Sequence, residues 1–119
     1  MCARDNVAGA NDLQQRLPAD NEVAAATDML RMLADGTRLR LMCLLSHGEH
    51  DVTALVTAVG VARPAVSQHL GKLRLAGLVT VRRDGRRALY TARGGHVRRL
   101  VTEVMHAATH RVTGAPEHD

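Results

Sequence analysis

Phe and Trp are absent from the 119 residues, and Tyr90 is the only aromatic side chain. A core without large rings must be assembled from Leu, Val, Ala and Met, a mixture rich in helix formers. Cysteine is scarce as well. Cys2 and Cys43 are too few for a disulfide scaffold, and the chain reads as cytoplasmic. No apolar run is long enough to span a bilayer and no apolar leader follows Met1, so no membrane partner is expected. Nor is there a nucleophile–base arrangement, a glycine-rich phosphate loop or a pair of acids in a cleft pattern. An enzyme therefore ranks last among the function classes.

What remains is a chain with room for one domain and one core. Apolar residues at 45% and charged residues at 24% are ordinary for a folded protein. The charge balance is less ordinary. Sixteen basic residues face twelve acidic ones, all but Lys72 of the sixteen are Arg, and the pI is near 10. Arginine presents a planar fork of donors that matches phosphates and guanine edges, which points to nucleic acid. A GC-rich genome would also raise Arg and Ala, so composition has to be weighed with pattern.

Residues 1–20 read as a weakly ordered arm or a short helix, with Leu13 and Leu17 one turn apart and Pro18 ending it. The domain proper is expected over 21–112, with a flexible tail at 113–119. Asp20 or Asn21 can cap a first helix over 22–34, whose Val23, Ala26, Leu30 and Leu33 form an apolar stripe. Asp35-Gly36-Thr37 punctuates, and a largely buried helix follows over 38–46. A short helix capped by Asp51 or Thr53 leads to Gly60, which suits a sharp corner. The next helix runs from Arg63-Pro64 to Leu75 and buries Val66, Leu70 and Leu73. The period then switches to alternation: strands over 78–83 and 86–91 flank an Asp84-Gly85 turn. Gly94-Gly95 breaks the chain before a last helix, His96 to about Val112. Its apolar set, Val97, Leu100, Val101, Val104, Met105 and Ala108, is wider than a small core needs and suggests a second partner surface, most simply a homodimer.

That order predicts a mainly α fold with a small β-hairpin: a winged helix-turn-helix, dimeric through its terminal helices. The 63–75 helix keeps its apolar residues inside and presents Arg63, Ser67, Gln68, His69 and Lys72 outside. Small hydrogen-bonding side chains with cations are what a helix in a major groove requires. Arg82, Arg83, Arg86 and Arg87 surround one tight turn, and such a wing fits a phosphate backbone or a minor groove. A polar helix face or a basic tip alone would be unremarkable. Side by side and in this order, they favour double-stranded DNA as partner.

The segments Leu33-Ala34-Asp35-Gly36-Thr37-Arg38-Leu39-Arg40-Leu41, Pro64-Ala65-Val66-Ser67-Gln68-His69-Leu70-Gly71-Lys72-Leu73 and Gly77-Leu78-Val79 resemble the ArsR/SmtB family of metal-responsive regulators. The likeness runs from roughly Val23 to His110. It implies a homodimeric winged-helix DNA binder, usually a repressor that leaves its operator when metal binds. It further implies that Ser67, Gln68 and His69 reach base edges or phosphates and that the wing clamps the backbone.

Members that sense arsenic, cadmium or lead commonly carry paired cysteines in the first helix of the helix-turn-helix, where this chain has Asp51-Val52-Thr53-Ala54-Leu55. Sensing through soft thiolates by that route is not expected. Cys43, among leucines, reads as a buried inert thiol. The last helix instead holds His96, Glu103, His106 and His110. His106 and His110 lie one turn apart, about 5–6 Å. His96 and His110 are separated by roughly 21 Å along the helix, so they can share an ion only across an antiparallel pair of protomers. The family's usual site on this helix is Asp-x-His, a second His eleven residues on, and a final His or Glu three further. This chain keeps His96 and His110 but has Gly94 and Ala107 at the other two places. Glu103 and His106 stand in as replacements. An imidazole-rich, thiolate-free set suits nickel(II) first, with cobalt(II) or zinc(II) also acceptable. His47 and His50 form a second, weaker cluster. The expectation is a regulator whose operator affinity a divalent metal modulates. The alternatives are a winged-helix regulator sensing redox state or a small molecule, with no metal site, and an architectural DNA protein of weak sequence preference.

Overall fold

The computed structural model describes residues 11–114. Helix α1 covers residues 11–16. It is followed by α2 (Asp20–Leu33), α3 (Gly36–Leu45), α4 (Val52–Val59), α5 (Arg63–Leu75), strands β1 (Val79–Asp84) and β2 (Arg87–Ala92), and α6 (Gly94–Thr113). The strands pair antiparallel, from Val79 with Ala92 to Asp84 with Arg87. This is a winged helix-turn-helix, mainly helical with one hairpin.

Helix α3 is the pillar. It packs against α2, α4, α5, α6 and β2, and its Leu41, Met42 and Leu45 have no solvent exposure. Leu55, Val66, Leu70, Leu73, Leu78, Val79, Val97 and Val101 close around them. Each Val or Leu wholly removed from water contributes about 1.5–3 kcal/mol, so branched aliphatic side chains substitute for the missing aromatics by number. Asp35 caps α3, its Oδ2 accepting from the Arg38 backbone N–H at 2.9 Å, and that bond holds the Asp35 carboxyl below its ordinary pKa. Asp51 does the same for α4, accepting from Ala54 at 2.8 Å. Gly60, at φ +69°, makes the left-handed corner between α4 and α5.

Several expectations are corrected. The residue preceding α2 is Ala19, neither Asp20 nor Asn21, because Glu22 reaches back to accept from the Ala19 N–H at 3.0 Å and supplies the cap from inside the first turn. The hairpin loop is Gly85-Arg86, not Asp84-Gly85, since Asp84 pairs with Arg87. Gly85 has φ +65° while Arg86 has no positive φ, the type II′ pattern with glycine first. Helix α6 begins at Gly94, so the two glycines form its first turn. Val97 and Val101 lie in the chain's own core, on the helix that packs against α3, and the part of the α6 stripe left outside that core is correspondingly narrower. On α2 only Leu33 is buried, while Val23 and Leu30 stay 47% and 53% exposed.

The segment before α4 also joins the wing. His50 and Tyr90 exchange two backbone hydrogen bonds, of 3.0 and 2.9 Å, so His50 acts as a one-residue third strand. Among the described residues no helix is long and apolar enough to cross a membrane. The expected tail and the first ten residues, Cys2 included, lie outside the described residues apart from Thr113 and Gly114.

Candidate nucleic-acid interface

The inner face of α5 is wholly buried at Val66, Leu70 and Leu73, which fixes the helix's rotation. Arg63, Ser67, Gln68 and Lys72 are consequently exposed, and His69 is half-buried at the boundary. Arg63 Nη2 donates to Thr53 Oγ1 at 2.6 Å and so ties the start of α5 to α4. Thirteen residues make α5 about 20 Å long, with a free polar face on the side away from α3.

The four wing arginines are not equivalent. Arg82 donates to both carboxylate oxygens of Glu49, at 2.7 and 2.8 Å. The side-chain hydrogen bond from Arg82 is the main reason the Glu49 carboxyl sits below its ordinary pKa. Arg87 Nε donates to Asp51 Oδ2 at 3.1 Å, while the other Asp51 oxygen caps α4. The Asp51 carboxyl is lowered first by the Ala54 backbone bond and further by Arg87. Arg83 and Arg86 have no carboxylate partner among the described residues; Arg83 reaches only the Arg86 carbonyl, at 3.4 Å. An open cleft of about 270 Å³ lies between the wing and the helix-turn-helix, lined by Arg63, Arg83, Arg86 and Arg87 with Asp51 and Thr53. Its cationic walls suit a phosphate.

The metal candidates are spread along α6. His96, Glu103 and His106 are exposed and His110 is half-buried. His96 Nδ1 lies 3.0 Å from Arg99 Nη2. Among the described residues no three His, Cys, Asp or Glu side chains come together as a metal-sized group. One protomer does not assemble the set, in keeping with the 21 Å argument along α6. In the second cluster, His47 Nδ1 contacts the Cys43 carbonyl at 2.7 Å, and the His50 backbone is committed to Tyr90. Cys43 is half-buried, and burial raises its thiol pKa, so little thiolate forms at neutral pH.

Two residues escaped the sequence reading. Glu49 lies 33 residues from the arginine it pairs with, and no local periodicity signals such a contact. Arg38 meets His69 across 31 residues, Nη1 to Nδ1 at 3.3 Å. Apolar surface is also left over. Leu30 and Val104, 53% and 41% exposed, line a groove together with Leu33, Leu39 and Val101, contributed by α2, α3 and α6.

Comparison with known proteins agrees with this geometry. The model of the arsR family of bacterial regulatory proteins matches residues 35–81, from the cap of α3 through the first half of β1. The HTH-type transcriptional regulator KmtR of Mycobacterium tuberculosis is 42% identical over 99 residues, covering 83% of this chain and 76% of KmtR. NmtR, from the same organism and also described as an HTH-type transcriptional regulator, is 36% identical over 94 residues, covering 78% of each chain. The homodimeric winged helix-turn-helix DNA-binding domain from Mycobacterium bovis superposes with a TM-score of 0.73 at 32% identity, over 87% of this chain and 99% of that one. Identity at this level over most of the length, on the same fold and through α5, means that this chain belongs to the arsR family of bacterial regulatory proteins and is a transcriptional regulator, not an enzyme.

Proposed function

We propose that the protein works as a homodimer joined through α2 and α6, reads an operator with α5, and grips the flanking backbone with its wing. In this reading its operator affinity changes when a divalent metal, nickel(II) ahead of cobalt(II) or zinc(II), binds between protomers. The observation that carries the DNA part is the pairing of an outward Ser67–Gln68–Lys72 face with two carboxylate-free arginines, Arg83 and Arg86, at the wing tip. Gln68 supplies a donor and an acceptor for a base edge, and Lys72 and Arg63 supply cations for phosphates. Arg82 and Arg87, held by Glu49 and Asp51, set the angle of the wing.

Dimerisation is supported by the exposed Leu30 and Val104 beside the α2–α6 groove, since apolar side chains there gain only when a second copy covers them. The metal part is supported by the donor chemistry of α6: three imidazoles and one carboxylate, with no thiolate. Bound there, a divalent ion would supply a cross-link between imidazoles of different protomers. His96 of each protomer would face His110 of the other, with His106 and Glu103 completing the set. Fixing the two α6 helices relative to each other changes the spacing of the two α5 helices, and operator affinity follows by linkage.

The Arg99–His96 contact favours a second reading, in which α6 carries no metal and the dimer senses redox state or a small molecule. A guanidinium donates only, so Nδ1 accepts here and ligation through either ring nitrogen of His96 has to break this contact. Operator binding by the purified dimer, with and without nickel, cobalt and zinc at fixed salt, tests the proposal. Absence of stoichiometric binding of all three metals would select the second reading.

A further inference from the structure

We propose that Arg38 is a positioning residue of the DNA interface: it holds His69 as the tautomer protonated at Nε2, so that α5 offers DNA a hydrogen-bond donor at position 69. The inference rests on the DNA reading above.

Three contacts fix Arg38. Its Nε donates to the Met32 carbonyl at 2.6 Å, its backbone N–H donates to Asp35 Oδ2 at 2.9 Å, and its Nη1 lies 3.3 Å from His69 Nδ1. The first anchors the guanidinium to the last turn of α2 and the second fixes the Arg38 backbone at the cap of α3, so the guanidinium is held by a contact other than His69. A guanidinium has five N–H groups and no acceptor. At this contact the imidazole must therefore accept. A neutral imidazole that accepts at Nδ1 carries its proton at Nε2. No hydrogen bond to Nε2 is formed among the described residues.

His69 follows the exposed Gln68 and precedes the buried Leu70, at the border of the DNA-facing surface. A donor there matches a hydrogen-bond acceptor on DNA, either a phosphate oxygen or the N7 or O6 edge of a purine in the major groove. It does not match an exocyclic amino group or a thymine methyl. Arg38 thus decides what His69 recognises without itself touching DNA, and it does so from the first turn of α3.

The test uses the full-length dimer and a duplex selected from a randomised library by the wild-type protein. Long-range 15N NMR of the free protein above neutral pH should show His69 as the Nε2–H tautomer, with Arg38→Ala shifting it towards a mixture. His69→Gln can accept from Arg38 through its carbonyl and still turn an N–H outward, so it should bind DNA within about twofold of wild type. His69→Leu should lose about tenfold or more. Methylphosphonate and 7-deazapurine substitutions locate the acceptor: the Leu penalty should vanish at one phosphate or at one purine. An Nδ1–H tautomer in the wild type overturns the inference. So does a His69→Leu protein of wild-type affinity when Gln68→Ala and the paired Arg83→Ala, Arg86→Ala variant are both impaired. If none of these variants affects binding, the DNA reading of α5 and the wing fails, and this inference fails with it.

Discussion

Glu49 and Arg82, 33 residues apart, form a two-point ion pair at 2.7 and 2.8 Å that ties the segment before α4 to the first strand of the wing. Arg87 and Asp51 make a parallel tie at 3.1 Å from the second strand. Two of the four wing arginines are thereby paired with carboxylates, and Arg83 and Arg86 have no carboxylate partner among the described residues. The consequence is a division of labour that can be measured.

Replacing Arg83 and Arg86 together by Ala should weaken binding to all DNA sequences alike. It should also lower the slope of log affinity against log salt by about 1 to 2, the size expected for one or two lost phosphate contacts. Arg82→Ala should change that slope little. Fluorescence anisotropy titrations over a range of salt concentrations check both. Equal slopes for the double variant and the wild type would remove the wing tip from the interface.

Gln68→Ala should act differently. Its loss should cost about 1–3 kcal/mol at one base pair and relax the preference there, leaving the salt slope unchanged. Competition among singly substituted operators reads the outcome, and a uniform loss over all of them would mean that Gln68 is a backbone contact.

The α2–α6 groove predicts the effect of a charge. Val104→Glu leaves a single protomer undisturbed, because the position is 41% exposed there, but buries a carboxylate against apolar surface in a dimer, at a cost of several kcal/mol. Sedimentation should show a folded monomer where the wild type is dimeric at micromolar concentration. A wild-type monomer under those conditions would refute the dimer reading. Val101→Glu, in contrast, strikes the chain's own core and should unfold it.

His96→Ala and His110→Ala should each abolish nickel binding and the nickel effect on operator affinity, while metal-free DNA binding persists. A heterodimer carrying one of each should retain one site. Arg99→Ala should tighten binding by removing the donor that occupies His96 Nδ1. Calorimetry measures all of these. If both single variants bind nickel as wild type does, the site is not on α6, and the His47–His50 segment is next.

Acid should destabilise the fold through its caps. Asp35 and Asp51 have carboxyl pKa values held below the ordinary range, mainly by the backbone N–H groups they accept from. The unfolded chain then binds protons more readily, so stability rises with pH through that range. This contribution is fully present above the ordinary carboxylate value of about 4 and is lost as pH falls through the lowered folded values. Asp35→Asn keeps a capping oxygen without the titration. It should lose less stability between pH 7 and pH 3 than the wild type does, measured by urea unfolding.

Helix α5 was legible from sequence to its end residues, because Pro64 and the spacing of Val66, Leu70 and Leu73 are local signals. The hairpin was legible but its loop was placed one residue early, since Asp84-Gly85 and Gly85-Arg86 both offer glycine a positive φ and only cross-strand pairing chooses between them. The breadth of the apolar stripe on α6 was legible too. Which part of it met the chain's own α3 was not, because periodicity records that a face is apolar and says nothing of what covers it. The same limit governs the charges. Arg82, Arg83, Arg86 and Arg87 are equivalent in sequence, and Glu49 and Asp51 distinguish them only once the His50–Tyr90 bridge lays that segment beside the wing. Local chemistry thus determined the elements, their order and the family, because helix caps, glycine corners and hydrophobic period act within a few residues. Tertiary structure alone decided which cations are free and what orients His69, because those depend on partners brought within 4 Å from more than thirty residues away.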